Sequence, residues 1–164
     1  MSSSVDTVVA DAGPLIALAR IDCLRLLPAP FAGVLTTAVV IAEATALEAY
    51  PEGAKIQAAV QLGSIALESP DLDRPSWGLD AGEASVLRLA LRKGCGVLMD
   101  DRAGRRVAAR AGIPVIGVLG TLLLLKRSGK VARLRPLAES LIASGYYIGD
   151  QLLAEACNLA GEDA

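Results

Sequence analysis

The sequence predicts an α/β protein, with helices on both sides of a central, mostly parallel sheet of about five strands, a three-layer α/β/α arrangement. Three observations point there. Two short apolar runs, Val8-Val9-Ala10 and Val97-Leu98-Met99, stop on Asp11 and on Asp100-Asp101, and a helical pattern follows each. Short apolar runs alternate with amphipathic ones along the 164 residues, as in strand–helix–strand units. The core must also be built almost without rings, because 53% of the residues are apolar but only 3% aromatic. Leu, Val, Ile and Ala suit helices laid on a parallel sheet.

Val8–Ala10 reads as the first strand, and Pro14 suits the first turn of the helix behind it, where a missing N–H costs nothing. A short second helix is expected near Cys23–Leu27, ending before Pro28 and Pro30. Gly33–Thr36 reads as the second strand, with Thr36 or Thr37 capping a helix that runs to about Ala49. Pro51-Glu52 opens another helix through Leu62, stopped by Gly63, and Ser64–Leu67 is the third strand. Glu68–Gly78, with Pro70 and Pro75, reads as a loop. Asp80-Ala81-Gly82-Glu83 has the form of a capping box opening a helix to about Lys93. Cys95–Met99 is the fourth strand, Arg102–Ala111 a helix stopped by Gly112, and Pro114–Ile116 the fifth strand. Three helices follow, at Thr121–Arg127, Leu134–Ala143 and Asp150–Leu159. Residues 1–164 are expected to form one domain, and the helices from about residue 121 offer a dimer or partner surface.

The composition narrows the chemistry. There is no histidine, which removes Ser-His and Cys-His nucleophiles and histidine-held zinc or iron. Cys23, Cys95 and Cys157 are odd in number and far apart, against a disulfide framework or zinc knuckle and in keeping with a reducing cytoplasm. No secretory leader or membrane span is expected, since the longest apolar run, Ile113–Leu125, is broken by Pro114, Gly117 and Gly120. Net charge is −2, yet twelve of the sixteen Lys and Arg residues lie between Arg88 and Arg135, with only Asp100 and Asp101 as acids among them. Basic residues around an acidic pair fit a polyanion approaching a metal site, although solvated helix faces give the same pattern.

In an open parallel sheet, ligands bind beyond the carboxyl ends of the strands. Carboxylates gathered there repel one another unless a cation sits among them, and a hard divalent ion prefers oxygen ligands. Taken singly, Asp11 is explained as a helix cap, Asp80 as a cap and Glu83 as a capping-box residue. Asp100-Asp101 is one acid more than the following helix needs. Glu43, between Val40-Ile41-Ala42 and Ala44, is either on an outer face or turned into a polar site.

The order of these acids carries more than any one of them. Val8-Val9-Ala10-Asp11-Ala12-Gly13-Pro14-Leu15-Ile16, Val39-Val40-Ile41-Ala42-Glu43, Leu79-Asp80-Ala81-Gly82-Glu83-Ala84 and Val97-Leu98-Met99-Asp100-Asp101-Arg102-Ala103-Gly104-Arg105 follow one another along the chain. Gly112–Gly120 supplies a last strand and the turn beyond it. The set resembles the PIN-domain nucleases, especially the VapC-like toxins and their relatives, from Val8 to the final helix. The resemblance implies a PIN-like fold and hydrolysis of RNA phosphodiester bonds with Mg²⁺ or Mn²⁺. Carried over residue by residue, its catalytic acids fall on Asp11, Glu43, Glu83 and Asp101, with Asp11, Asp101, Asp100 and Glu83 as candidate metal ligands. It also implies the toxin of a toxin–antitoxin pair, with a small antitoxin partner and a homodimer. Arg102, Arg105 and Arg106, at the start of a helix, are candidates for contact with RNA phosphates. Three positions depart from the family pattern: Gly13 and Met99 stand where many members carry hydroxyls, and Glu83 often has Asp in its place. Two alternatives remain, a PIN-like module that binds RNA or protein without cutting, and a phosphoryl-accepting regulatory domain. The latter needs a lysine after a late strand, and none follows Ile116 until Lys126.

Overall fold

The structure, a computed structural model, describes residues 5–46, 51–69 and 76–162. The expected end of the Glu43 helix near Ala49 and residues 70–75 of the expected Glu68–Gly78 loop lie outside the described residues. In chain order the elements are β1 (Thr7–Ala10), α1 (Ala12–Arg20), a 3₁₀ turn (Leu24–Leu26), β2 (Gly33–Thr37), α2 (Ala38–Thr45), α3 (Pro51–Gln61) and β3 (Ala66–Glu68). They continue with α4 (Ala81–Lys93), β4 (Gly96–Leu98), α5 (Arg102–Arg110), β5 (Val115–Ile116), α6 (Val118–Arg127), α7 (Leu134–Ala143) and α8 (Asp150–Leu159). The Cys23–Leu27 segment is thus a single 3₁₀ turn rather than an α-helix. The third strand begins later than its apolar residues suggest, because the amides of Ser64 and Ile65 both turn back to Ala59 O and close off α3. Only from Ala66 are the backbone groups free to pair with β2.

The five strands are all parallel, in the order β3-β2-β1-β4-β5. The chain steps outward from β1 to β3 and then returns, through α4, to lay β4 against the other side of β1. The strand order therefore reverses between β1 and β4, and the crevice at their carboxyl ends is the binding position of such sheets. A phosphoryl-accepting domain of flavodoxin-like topology would place its third strand beside its first, which is not the order here. α4 crosses β1, β2 and β4 with α5 beside it, while α1 packs with α2, α3 and α6, giving the three-layer arrangement. Val8, Val9, Ala10, Val97 and Leu98 are fully enclosed between the layers, as strands buried on both faces must be. The leucine-rich α6 is core as well: Leu122 and Leu125 are fully buried, and among the C-terminal helices the exposed large apolar side chains lie on α7 and α8, at Ile142, Leu152 and Leu159.

Two helices lack a cap of their own and borrow a carboxylate from elsewhere. The N-cap of α6 is Gly117, and Asp100 Oδ1 accepts from the Val118 amide at 3.3 Å. The N-cap of α7 is Arg133, whose side chain makes no capping bond; the amides of Leu134 and Arg135 donate instead to Glu162, at 2.7 and 3.0 Å. Lys126 Nζ donates to the same carboxylate at 2.9 Å and to Ala160 O at 2.6 Å. Glu162 thus ties α6, α7 and the end of α8 together. Burial by itself would raise its carboxyl, but the Lys126 bond and the two amides outweigh that and hold it near 2, against an ordinary 4.5. The same lysine is thereby committed far from the strand-end acids.

Replacing Glu162 by Gln removes the charge that binds these donors, and the expected loss is roughly 1.5–3 kcal/mol of unfolding free energy at neutral pH. Because the folded carboxyl is more acidic than the unfolded one, the wild-type advantage over Glu162→Gln is full above pH 4.5 and fades as the pH falls toward 2. Urea unfolding of both proteins across that range measures it; an equal loss at every pH would show that the charge is not the cause.

Candidate active site

β1 brings Asp11 to the lip of the sheet, and a final ladder bond from Asp11 N to Leu98 O, 3.0 Å, fixes it there beside the end of β4. Asp11 occupies the N-cap position of α1 but makes no side-chain capping bond. Its carboxylate is 7% exposed and takes the adjacent Ala12 amide. Capping therefore does not explain it. Burial raises its carboxyl from 3.8 to about 6, and Asp80, Glu43 and Asp101 add to the rise against the Ala12 amide.

Glu43 is turned into the polar site. It projects from α2 onto the start of α4, where its carboxylate accepts from the Gly82 amide. The N-terminal end of a helix favours an anion, and the absence of a side chain at residue 82 makes room for it. A Cβ added to Gly82 would fall within 2.8 Å of the Glu43 carboxyl carbon. Partial burial, followed by the charge of Asp80, raises Glu43 above its ordinary value despite the Gly82 bond.

A chain of hydroxyls holds the start of α4 in place. Thr37 Oγ1 accepts from Val40 N at 3.1 Å, capping α2, and lies 2.7 Å from Ser85 Oγ. Ser85 donates to Gly82 O at 2.7 Å, so the Thr37 hydroxyl donates to Ser85. Both side chains are buried. On the neighbouring strand position Thr36 Oγ1 donates to Ala10 O at 2.9 Å, joining the ends of β2 and β1. Nothing in the sequence read singly pointed to Ser85; its spacing of three residues from Gly82 within an otherwise apolar helix face is the only signal.

The capping-box reading of Asp80 and Glu83 holds in one half. Asp80 Oδ1 accepts from Glu83 N at 2.8 Å. The Glu83 carboxyl turns toward the other acids instead, hydrogen-bonded to Asp80. Burial first, then the charges of Asp80, Asp101 and Asp11, raise it from 4.5 to about 7. Asp80, read from sequence as a cap alone, thus also belongs to the cluster through its effect on Asp11, Glu43 and Glu83.

The structure separates Asp100 from Asp101. Asp101 caps α5, accepting from Gly104 N at 2.8 Å, and its charge bears on Asp11 and Glu83. Asp100 points the other way, to Val118 N and to the hydroxyl of Tyr146, which burial and this partner raise above its ordinary value. The surplus that the acidic pair showed in sequence is therefore used up by a second helix, and Asp100 is not brought to the cluster as a candidate ligand. Arg105 Nε donates to Met99 O at 3.0 Å. Arg102 and Arg106 are exposed on α5, and Arg102 forms no ion pair among the described residues.

Asp11, Glu83 and Asp101 thus bear on one another electrostatically, Glu43 bears on Asp11, and Asp80 is the acid common to Asp11, Glu43 and Glu83. Among the described residues no ion pair offers them a countercharge. The donors are all carboxylate oxygens, the chemistry of a hard divalent cation. They lie within electrostatic reach of one another, but no three of the described acids stand close enough together to grip one ion directly. Such spacing suits an ion held partly through its own waters, as Mg²⁺ is.

The model of the PIN-domain family matches residues 7–162 of the chain. No curated protein and no solved structure gives a significant match.

Two outcomes follow from this geometry. In metal-free protein the raised Asp11 carboxyl contributes stability that is complete below pH 3.8 and lost as the pH rises through about 6. Asp11→Asn is expected to raise the melting temperature above that range and not below it, in thermal unfolding with a chelator present; an equal shift at both ends would remove the burial argument. Gly82→Ala is expected to displace the Glu43 carboxylate and cut activity on the order of tenfold, whereas Ala103→Gly, on the exposed side of α5, is not. Activity and unfolding measured on the same samples separate displacement from misfolding.

Proposed function

Because the chain belongs to the PIN-domain family, whose members are generally nucleases, we propose that it is a metal-dependent ribonuclease that hydrolyses RNA phosphodiester bonds. The observation that carries the proposal is the mutual electrostatic influence of Asp11, Glu43, Glu83, Asp80 and Asp101 in a sheet whose order reverses between β1 and β4, with none of them in an ion pair among the described residues. In this reading Asp11 and Asp101 hold Mg²⁺ or Mn²⁺ directly. Glu83 and Glu43 hold its waters and orient the one that attacks phosphorus. Bound there, the ion supplies Lewis-acid stabilisation of phosphate charge and a more acidic water. With no histidine in the chain, these carboxylates are the groups at the site that can take the proton. The VapC-like resemblance extends the proposal to a toxin with a small antitoxin partner and a homodimer, for which the exposed Ile142 and Leu159 offer the apolar surface.

One observation favours a second reading, an RNA-binding module that does not cut. The carboxylates do not close around an ion as they stand, and Gly13 and Met99 bring no hydroxyl to the site. Cleavage of RNA with added Mg²⁺ or Mn²⁺ decides between the two. Asp11→Asn and Asp101→Asn are each expected to reduce it on the order of 100-fold. Asn at position 101 still caps α5, so its effect reports the lost charge rather than a lost helix. Equal cleavage by all three proteins would remove the mechanism.

A further inference from the structure

Beyond Asp101 the surface opens into a groove of about 560 Å³, running between the start of α5, the β5–α6 turn and the segment before α8. Its rim carries Arg102 and Arg105, and its far side Tyr146, Tyr147 and Leu152. Its one acid is Asp100. We infer that this groove holds the RNA strand next to the cleavage site, with a nucleobase stacked on Tyr147 and the backbone phosphates on Arg102 and Arg105. The inference rests on the ribonuclease reading for its occupant, single-stranded RNA, and takes its argument from the groove itself.

Tyr147 is 90% exposed, the most exposed of the large apolar side chains among the described residues, and it is one of the residues that line the groove. A ring left in water beside a positively charged rim is the arrangement that stacks bases irrespective of their identity. Arg102 has no acid paired with it among the described residues. Arg105 is anchored through Nε to Met99 O, which leaves the rest of its guanidinium to face the groove. The two oxygens of Asp100 are turned to the Val118 amide and the Tyr146 hydroxyl, and Arg102 and Arg105 outnumber this acid along the groove. Continuity is covalent, since Asp100 lines the groove and Asp101 joins the cluster, about 3.8 Å apart between Cα atoms. Arg106 does not line the groove and takes no part. A protein helix docking here would meet the guanidiniums of Arg102 and Arg105 where its apolar face needs cover, so charge complementarity selects the nucleic acid.

Binding is read by fluorescence anisotropy of a labelled single-stranded oligoribonucleotide on the full chain, with a chelator to prevent cleavage. Tyr147→Ala is expected to weaken binding on the order of tenfold, and Tyr147→Phe to restore it. Binding of the same sequence as a duplex, whose bases are not free to stack, is expected to be unchanged by Tyr147→Ala. Arg102→Gln is expected to lower the slope of log affinity against log salt by about 0.7. Tyr147→Ala with wild-type affinity for the single strand overturns the inference. So does a Tyr147→Ala protein that changes its oligomeric state in sedimentation while keeping that affinity, because a second copy would then cover the face. Cleavage by wild type but not by Asp11→Asn tests the ribonuclease reading separately. A protein that cuts RNA without regard to Tyr147 loses only the groove, and one that binds through Tyr147 but cuts nothing loses only the ribonuclease.

Discussion

Asp11 reaches the lip of the sheet through a ladder hydrogen bond to Leu98, the last residue of the strand that also delivers Asp101. That parallel pairing of β1 with β4 is a long-range contact, made only after the chain has gone out to β3 and come back. Every acid at the site depends on it. Glu43 and Glu83 arrive from helices that follow or precede neighbouring strands, and the Thr37–Ser85–Gly82 hydroxyl chain sets the two helices against each other. The geometry of the crevice is thus a product of sheet order and a few buried hydrogen bonds, none of which involves the carboxylates themselves.

The molecule contains the same side chain under opposite conditions, and the contrast distinguishes structural from functional acids. Glu162 is enclosed by two amides and a lysine, and it is held near 2 although burial pushes it up. Glu83 and Asp11 feel the same push from burial, but their neighbours are other carboxylates, and they rise to about 7 and about 6. A fold has no use for carboxylates that oppose one another in this way. The repulsion is a standing cost in the chain, and a cation bound among these acids, as proposed above, would relieve it.

Much of this was legible in the sequence, for a physical reason: a strand ending on an acid puts that acid at the lip whatever the rest of the chain does. Asp11 and Asp101 were found that way, and the strand–helix alternation gave the layers. What sequence spacing does not encode is direction. Glu43 was equally compatible with an outer face, and only the room above Gly82 decides its orientation. Glu83 fits a capping box by spacing, yet one cap suffices for α4 and Asp80 provides it. Asp100 and Asp101 are inseparable by spacing, because what draws them apart, Tyr146 and the start of α6, is distant in the chain. Tyr147 lines the groove beside Arg102 and Arg105, a position that no local spacing in the sequence marks.

The two missing hydroxyls take on different meanings once their surroundings are known. Met99 is fully buried, and its sulfur packs against Gly104, where no Cβ fits. That contact seats the first turn of α5, and the Gly104 amide is the donor that orients Asp101. A hydroxyl at residue 99 would gain a polar group and lose the packing that aims the neighbouring carboxylate. Gly13 is the reverse case, exposed and with no atom within 4 Å of where its Cβ would be. The space beside Asp11 is open to water, and water is the ligand that Mg²⁺ gives up least readily. At one position the chain has exchanged a ligand for rigidity, and at the other it leaves the place to solvent. Under the proposed function both positions fit an ion held by few direct carboxylates and several waters, since no three of the described acids close on one point.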